Sequence, residues 1–215
     1  MNRFLQARHW QLFVLMFGLP FIFYIFMMVS IFSAATSGNA VNVFGVFKFF
    51  PILMLLVIGV QFGWFWSVAV GLQPKVPEIV KMKIKRFKVF FFIPLVYMAL
   101  MIGLMCFLLS SVDFLNPQGS GLFAAGVNPA AILVPFAVII PLHLFSIFCI
   151  FYCLYFVAKT LKTAEVQKEV EFSDFAAEFF LIWFYPIGIW FIQPRINKLI
   201  QEPSLDAPDE KNSGN

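Results

Sequence analysis

Charge is scarce in this chain. Of 215 residues only 11 are Asp or Glu and 15 are Lys or Arg, which together make 12%, about half the share of an ordinary soluble domain. A disordered chain needs sustained polarity and a nucleic-acid-binding domain needs a basic surface, so this scarcity excludes both. Three cysteines are too few for a disulfide-stapled secreted fold. Two histidines, with no HExxH, CxxC, GxSxG or glycine-rich phosphate loop, leave no catalytic, metal or cofactor signature. What fills the space is apolar: 61% of the residues are hydrophobic and 31 positions are Phe. Too little polar surface remains to coat a soluble globule, which argues against a soluble enzyme. The composition predicts an all-α, multi-pass helical membrane protein.

The gaps between charges mark where the membrane can be crossed. No Asp, Glu, Lys or Arg occurs between Arg8 and Lys48, Lys48 and Lys75, Lys88 and Asp113, Asp113 and Lys159, or Glu178 and Arg195. A spanning helix needs about 20 mostly apolar residues. Four of the gaps supply one, at about 11–32, 49–72, 89–110 and 131–157. The first apolar core is too long for a signal peptide and reads as an uncleaved signal anchor. Polar loops are expected at 33–42 and 111–129, and Pro135 and Pro141 are candidate kinks in the fourth span. The fifth apolar stretch, 179–193, is short for a span, has Pro186 and Gly188 in its middle, and is crowded with Trp183, Tyr185 and Trp190, rings that favour the headgroup interface. It is expected to be interfacial or re-entrant, with a fifth span as the alternative. Residues 1–200 then form one helical membrane domain, and 201–215 a disordered polar tail.

Orientation follows from the cations. With four spans, fourteen of the fifteen Lys and Arg residues lie on one side and only Lys48 on the other. With five spans the split falls to eleven against four. The positive-inside rule therefore favours four spans with both termini cytoplasmic. Lys81, Lys83, Lys85, Arg86 and Lys88 cluster before the third span, where they fix topology and meet anionic headgroups at the cytoplasmic face. Val80, Ile84, Phe87 and Phe91 recur at helical spacing and predict an amphipathic helix over 77–88.

Within the spans, Gly59, Gly63, Ser67 and Gly71 repeat every four residues and predict a close helix contact, between spans or with another copy. Gln61 and His143 are the candidate polar site, and His143 is the only ionisable group expected inside the bilayer apart from thiols and phenols. Ser146, Cys149 and Cys153 extend a loose polar stripe from it. All three cysteines are expected as buried thiols. Ser173 or Asp174 can cap a following helix whose early turns carry Glu178. Gln73-Pro74-Lys75 and Gln193-Pro194-Arg195 match, each with a Pro expected to stop a helix at the same membrane face.

The stretches GLQPKVPEIVKMKIKRFKVFFFIPLVY (71–97), FCIFYCLYFVAKTLK (148–162) and EFFLIWFYPIGIWFIQPRINKL (178–199) resemble a group of bacterial integral membrane proteins of no assigned function. The resemblance implies a bacterial cytoplasmic membrane location and carries over no ligand or catalytic residue. The expected function is that of a structural or accessory membrane component packing with other membrane helices, either a membrane-protein partner or a second copy. A small oligomeric transporter or channel is the alternative, and an intramembrane enzyme a remoter one. No cofactor, metal or nucleic acid is expected.

Overall fold

In a computed structural model of the chain, residues 2–37, 49–110 and 129–201 are described. Of these, 89% are helical and no strand occurs among them. The expected tail from residue 202 on, the expected loop at 111–129 apart from Pro129, and half of the loop at 33–42 lie outside the described residues. The helices are α1 (Asn2–Gln6), α2 (His9–Phe13), α3 (Leu19–Ser37), α4 (Phe50–Gly71), α5 (Ile84–Ser110), α6 (Pro129–Val166), α7 (Phe172–Trp183) and α8 (Tyr185–Gln201). Four described segments are long and apolar enough to cross a membrane: His9–Thr36, Phe50–Lys75, Ile84–Phe107 and Ala137–Val166. The protein is an all-α membrane protein.

Several helix boundaries differ from expectation, each for a local reason. A π turn, Val14–Gly18, joins α2 to α3. Pro20, at the second position of α3, follows this wider turn directly, and a π turn is one way a helix accommodates a residue without an N–H. The helix also runs on through Ser33 to Ser37, where a loop was expected. There the Ser30 hydroxyl donates to Phe26 O at 2.9 Å, and the Thr36 hydroxyl reaches Phe32 O and Ser33 O at 3.1 and 3.0 Å. These polar groups are satisfied within the helix itself. α6 likewise continues beyond 157 to Val166, with Pro135 and Pro141 inside it. At about 1.5 Å per residue it outruns a hydrocarbon core of about 30 Å, which lets its last turns carry Lys159, Lys162 and Glu165. It stops at Gln167, a left-handed residue with φ of 54°. The Gln167 side-chain amide then donates to Ala164 O at 2.6 Å and to Lys75 O at 2.8 Å.

By mutual proximity the chain falls into two units. The first comprises Met1–Phe13, Gly63–Ile84 and Leu154–Asn215. At its centre α7 and α8 form a tight helical hairpin. Glu171 precedes α7, and its N–H donates to the Asp174 carboxylate at 2.9 Å, so the cap is Glu171 with Asp174 in the first turn. Phe184, with φ −85° and ψ 56°, breaks the helix. Pro186 therefore sits in the first turn of α8, where its missing N–H costs nothing. It starts the second helix rather than interrupting the first. Pro194 does not stop a helix, since α8 runs through it to Gln201. The reversal depends on Gly188, where a Cβ would overlap the carbonyl of Leu181. One face of the hairpin is buried, through Phe175, Glu178, Ile182, Ile189, Ile192 and Ile196. The other leaves Phe180, Trp183, Phe184, Ile187, Trp190 and Phe191 exposed.

The second unit comprises Val14–Phe62 and Lys85–Cys153. It holds the α3 run, the first part of α4, nearly all of α5 and the first part of α6. Aromatic contacts pack it: Phe62 against Phe91 edge-on at 5.3 Å, Phe90 against Tyr152 at 4.6 Å, and Phe23 against Phe50 at 6.3 Å between centroids.

Candidate functional site

In the first unit the polar side chains gather at the base of the hairpin. Arg195 on α8 pairs with both oxygens of Glu165 on α6, its Nε donating at 2.6 Å, and also donates to Glu178 Oε1 on α7 at 2.7 Å. Lys162 Nζ reaches the same Glu178 oxygen at 3.1 Å. Glu178 is only 3% exposed. Burial alone would raise its pKa, but hydrogen bonds from Arg195, from its own backbone amide and from Lys162 outweigh that, and the net shift is downward. The hydrogen bonds to Glu165 lead in raising the pKa of Arg195, which stays charged. Two cations and two carboxylates thus form a neutral, interlocked set joining three helices. Glu178 Oε2, Thr163 Oγ1 and the Tyr185 hydroxyl are buried with no hydrogen-bond partner among the described residues. Burial also pushes the Tyr185 hydroxyl pKa up.

A second polar knot ties the N-terminus to α8. Gln193, fully buried, accepts from Trp64 Nε1 at 2.8 Å through its side-chain oxygen. Its amide nitrogen lies 2.9–3.1 Å from the carbonyls of Phe4, Leu5 and Ala7 and from Asn197 Oδ1, sharing two hydrogens among four acceptors. Carbonyls at the end of a short helix have no partner within it. Here one glutamine side chain supplies that partner. His9 packs on Trp190 at 4.6 Å between ring centroids and completes the contact.

The small-residue stripe of α4 divides. Gly63 and Gly71 face the N-terminal segment: a Cβ on Gly63 would come within 3.0 Å of the Phe4 ring, and one on Gly71 within 2.6 Å of Leu5 Cδ1. Ser67, between them, is 2% exposed. The segment lying against these positions is α1, where another span or another copy was expected. Gly59 is exposed, and no described side chain lies within 4 Å of an added Cβ.

Gln61 is half-buried. His143 is more open than expected of a buried imidazole: it stands on an exposed part of α6 and has a partner, with the Tyr97 hydroxyl on α5 lying 3.0 Å from its Nδ1. Ser146, Cys149 and Cys153 on the following turns are buried. Cys106 is exposed, because it lies on an outward face of α5, so only two thiols are buried. The His–Tyr pair borders a cleft of about 600 Å³, lined by Phe50, Met54, Met98, Met101, Met105 and Ile147 among others. Lys81, Lys83, Lys85, Arg86 and Lys88 are all exposed. Val80, Phe87 and Phe91 are buried as their spacing predicts, but the helix carrying this face starts at Ile84 rather than 77.

No group of three His, Cys, Asp or Glu among the described residues could hold a metal ion. No protein-family model, curated protein or solved structure matches the chain, so the roles of these residues rest on their own geometry.

Two features were not read from the sequence. By its place near a helix start Glu178 suits the helix dipole, yet it is the buried centre of an ion network. Gln193 stands before Pro194 in a pattern that suggests a helix stop, yet it is the knot that holds the N-terminus. The available signal was modest: opposite charges, Glu178 and Arg195, flank an apolar stretch whose Pro and Gly permit a reversal.

Proposed function

We propose that this protein is an accessory component of the bacterial cytoplasmic membrane, with both termini cytoplasmic and its N-terminal span serving as the face offered to another membrane helix. One observation carries this reading. Only 11% of the first span's most apolar window is buried, against 39% for the second. Phe21, Ile22, Phe26, Val29 and Phe32 are each more than 45% exposed. In lipid, helices associate by packing rather than by escaping water, and a span that makes so few contacts of its own remains available for that packing. Transport is less well supported. A path for ions or protons needs polar groups through the bilayer, and the described spans place their carboxylate at Glu165, in the last turn of α6.

The contact between Gln193 and residues 4–7 supports the even span count. Five crossings would put the end of the fifth apolar stretch on the face opposite the N-terminus. The exposed cations at 81–88, beside an Ile79 that is 93% exposed, support seating against anionic headgroups, with about 1 kcal/mol gained per cation.

Photo-crosslinking residues placed at Ile22, Phe26 and Phe32 test the reading in native membranes. A discrete protein adduct from one side of α3, either a second chain or a copy of this one, is the expected result. Adducts to lipid alone from all three positions would refute it.

A further inference from the structure

The cleft in the second unit has the size and chemistry of a lipid-ligand site. Its volume of about 600 Å³ falls within the ~300–1,000 Å³ of typical small-molecule pockets, which are mostly apolar with a few polar groups that fix orientation. The walls are almost wholly aliphatic, aromatic and thioether. Four methionines, Met54, Met98, Met101 and Met105, contribute to them, and this unbranched side chain adapts to irregular apolar shapes.

The polar handle is the Tyr97–His143 pair, with Ser146 one turn further along α6 the other polar residue of the lining. If the Tyr97 hydroxyl donates to Nδ1 at 3.0 Å, then Nε2 of a neutral imidazole carries the proton and has no partner among the described residues. If Nδ1 carries the proton and donates to the phenol oxygen, the phenol hydrogen is left unspent. In either neutral tautomer the pair therefore offers one spare donor beside an apolar cleft. Water does not reach such a group in a hydrocarbon environment, and an unmet donor there is costly.

We propose that this cleft binds a lipid-soluble molecule made of a long apolar chain ending in a carbonyl-type acceptor, with that oxygen accepting the spare hydrogen of the Tyr97–His143 pair. Acyl lipids and isoprenoid quinones share this chemistry. The inference is independent of the accessory reading, which concerns α3.

The test uses the full chain purified in mild detergent and a photoreactive diazirine analogue of palmitate, with labelled peptides mapped by mass spectrometry. Label is expected on α5 and α6 peptides around Met98–Met105 and His143–Ile150. Competition by excess palmitate identifies an acyl ligand, and competition by decylubiquinone identifies a quinone. Met101→Trp fills the cleft and should abolish cleft labelling. His143→Leu should weaken it by about three- to tenfold, the worth of one intramembrane hydrogen bond, and His143→Gln should largely retain it. Thermal aggregation of each variant reports folding separately. Cleft labelling that neither competitor displaces, or that survives both Met101→Trp and His143→Leu in folded protein, would overturn the proposal. So would label spread along the exposed face of α3 with none in the cleft.

Discussion

The two units hold themselves together by different means. The first uses polar chemistry at close quarters: an ion set of Lys162, Glu165, Glu178 and Arg195, and a glutamine knot reaching back to residues 4–7. The second packs ring on ring, and the Tyr97–His143 bond is a polar side-chain pair within it. Long apolar helices gain most of their stability from the bilayer and need few specific ties. The α7–α8 hairpin is built of helices of 12 and 17 residues, each shorter than the about 20 residues a spanning helix needs. The polar contacts gather on these shorter helices and on the last turns of α6.

Changes in the first unit should therefore cost far more than comparable changes in the second. Gly188→Ala carries the largest expected effect. Its Cβ would meet backbone, the Leu181 carbonyl, which cannot swing aside, so the hairpin must open. The cost should reach or exceed the ~3 kcal/mol upper end for overpacking, seen as lost folded yield in detergent and early cleavage by protease near Phe184.

Arg195→Met follows. It leaves Glu178 buried without its principal partner, and breaking a buried pair costs about 3–5 kcal/mol. Arg195 is itself a third exposed, so the lower end is expected. Adding Glu178→Gln should restore part of the loss, and thermal aggregation of the single and double variants measures it. The same set predicts a pH response. Glu178 titrates lower folded than unfolded, so its contribution is complete above the unfolded carboxylate range and disappears as pH falls through its lowered folded value. A melting series from pH 7 to pH 3 should show stability falling at the acid end, with a shallower fall in Glu178→Gln.

Gln193→Leu should come next. It deprives Trp64 Nε1 of its acceptor and the carbonyls of Phe4, Leu5 and Ala7 of a side-chain donor, at about 1–3 kcal/mol for an unsatisfied buried group. The N-terminal segment should detach first, read as faster proteolysis ahead of Leu12. Tyr97→Phe in the second unit should be nearly silent, at about 0.6 kcal/mol in the same melting assay. A large effect there would show that polar ties are not confined to the first unit.

Much of this was legible in the chain. The four span cores could be read because nothing but uninterrupted apolar sequence can sit there. The stripe of Gly63, Ser67 and Gly71 marked a close approach. Spacing could not say what approaches, because Phe4 and Leu5 lie some sixty residues away on a five-residue helix with no pattern of its own. Gly59 belongs to the same repeat yet faces open space, since Phe4 and Leu5 of the five-residue α1 reach only Gly63 and Gly71. Gly59→Leu should therefore be tolerated where Gly63→Leu, which drives a side chain into the Phe4 ring, lowers folded yield in detergent. The partners of Glu178 and His143 were hidden for the same reason: each is supplied by a different helix, placed there by a turn or by packing that leaves no local mark.

In the proposed topology the N-terminus and the end of α8 lie at one membrane face. Single cysteines at Arg3 and Gln201, both exposed positions, in a chain otherwise free of cysteine, can be challenged with a membrane-impermeant maleimide in sealed right-side-out and inverted vesicles. Labelling of both positions only in inverted vesicles is the predicted result. Labelling of Arg3→Cys and Gln201→Cys from opposite sides would contradict it and make the hairpin a fifth crossing.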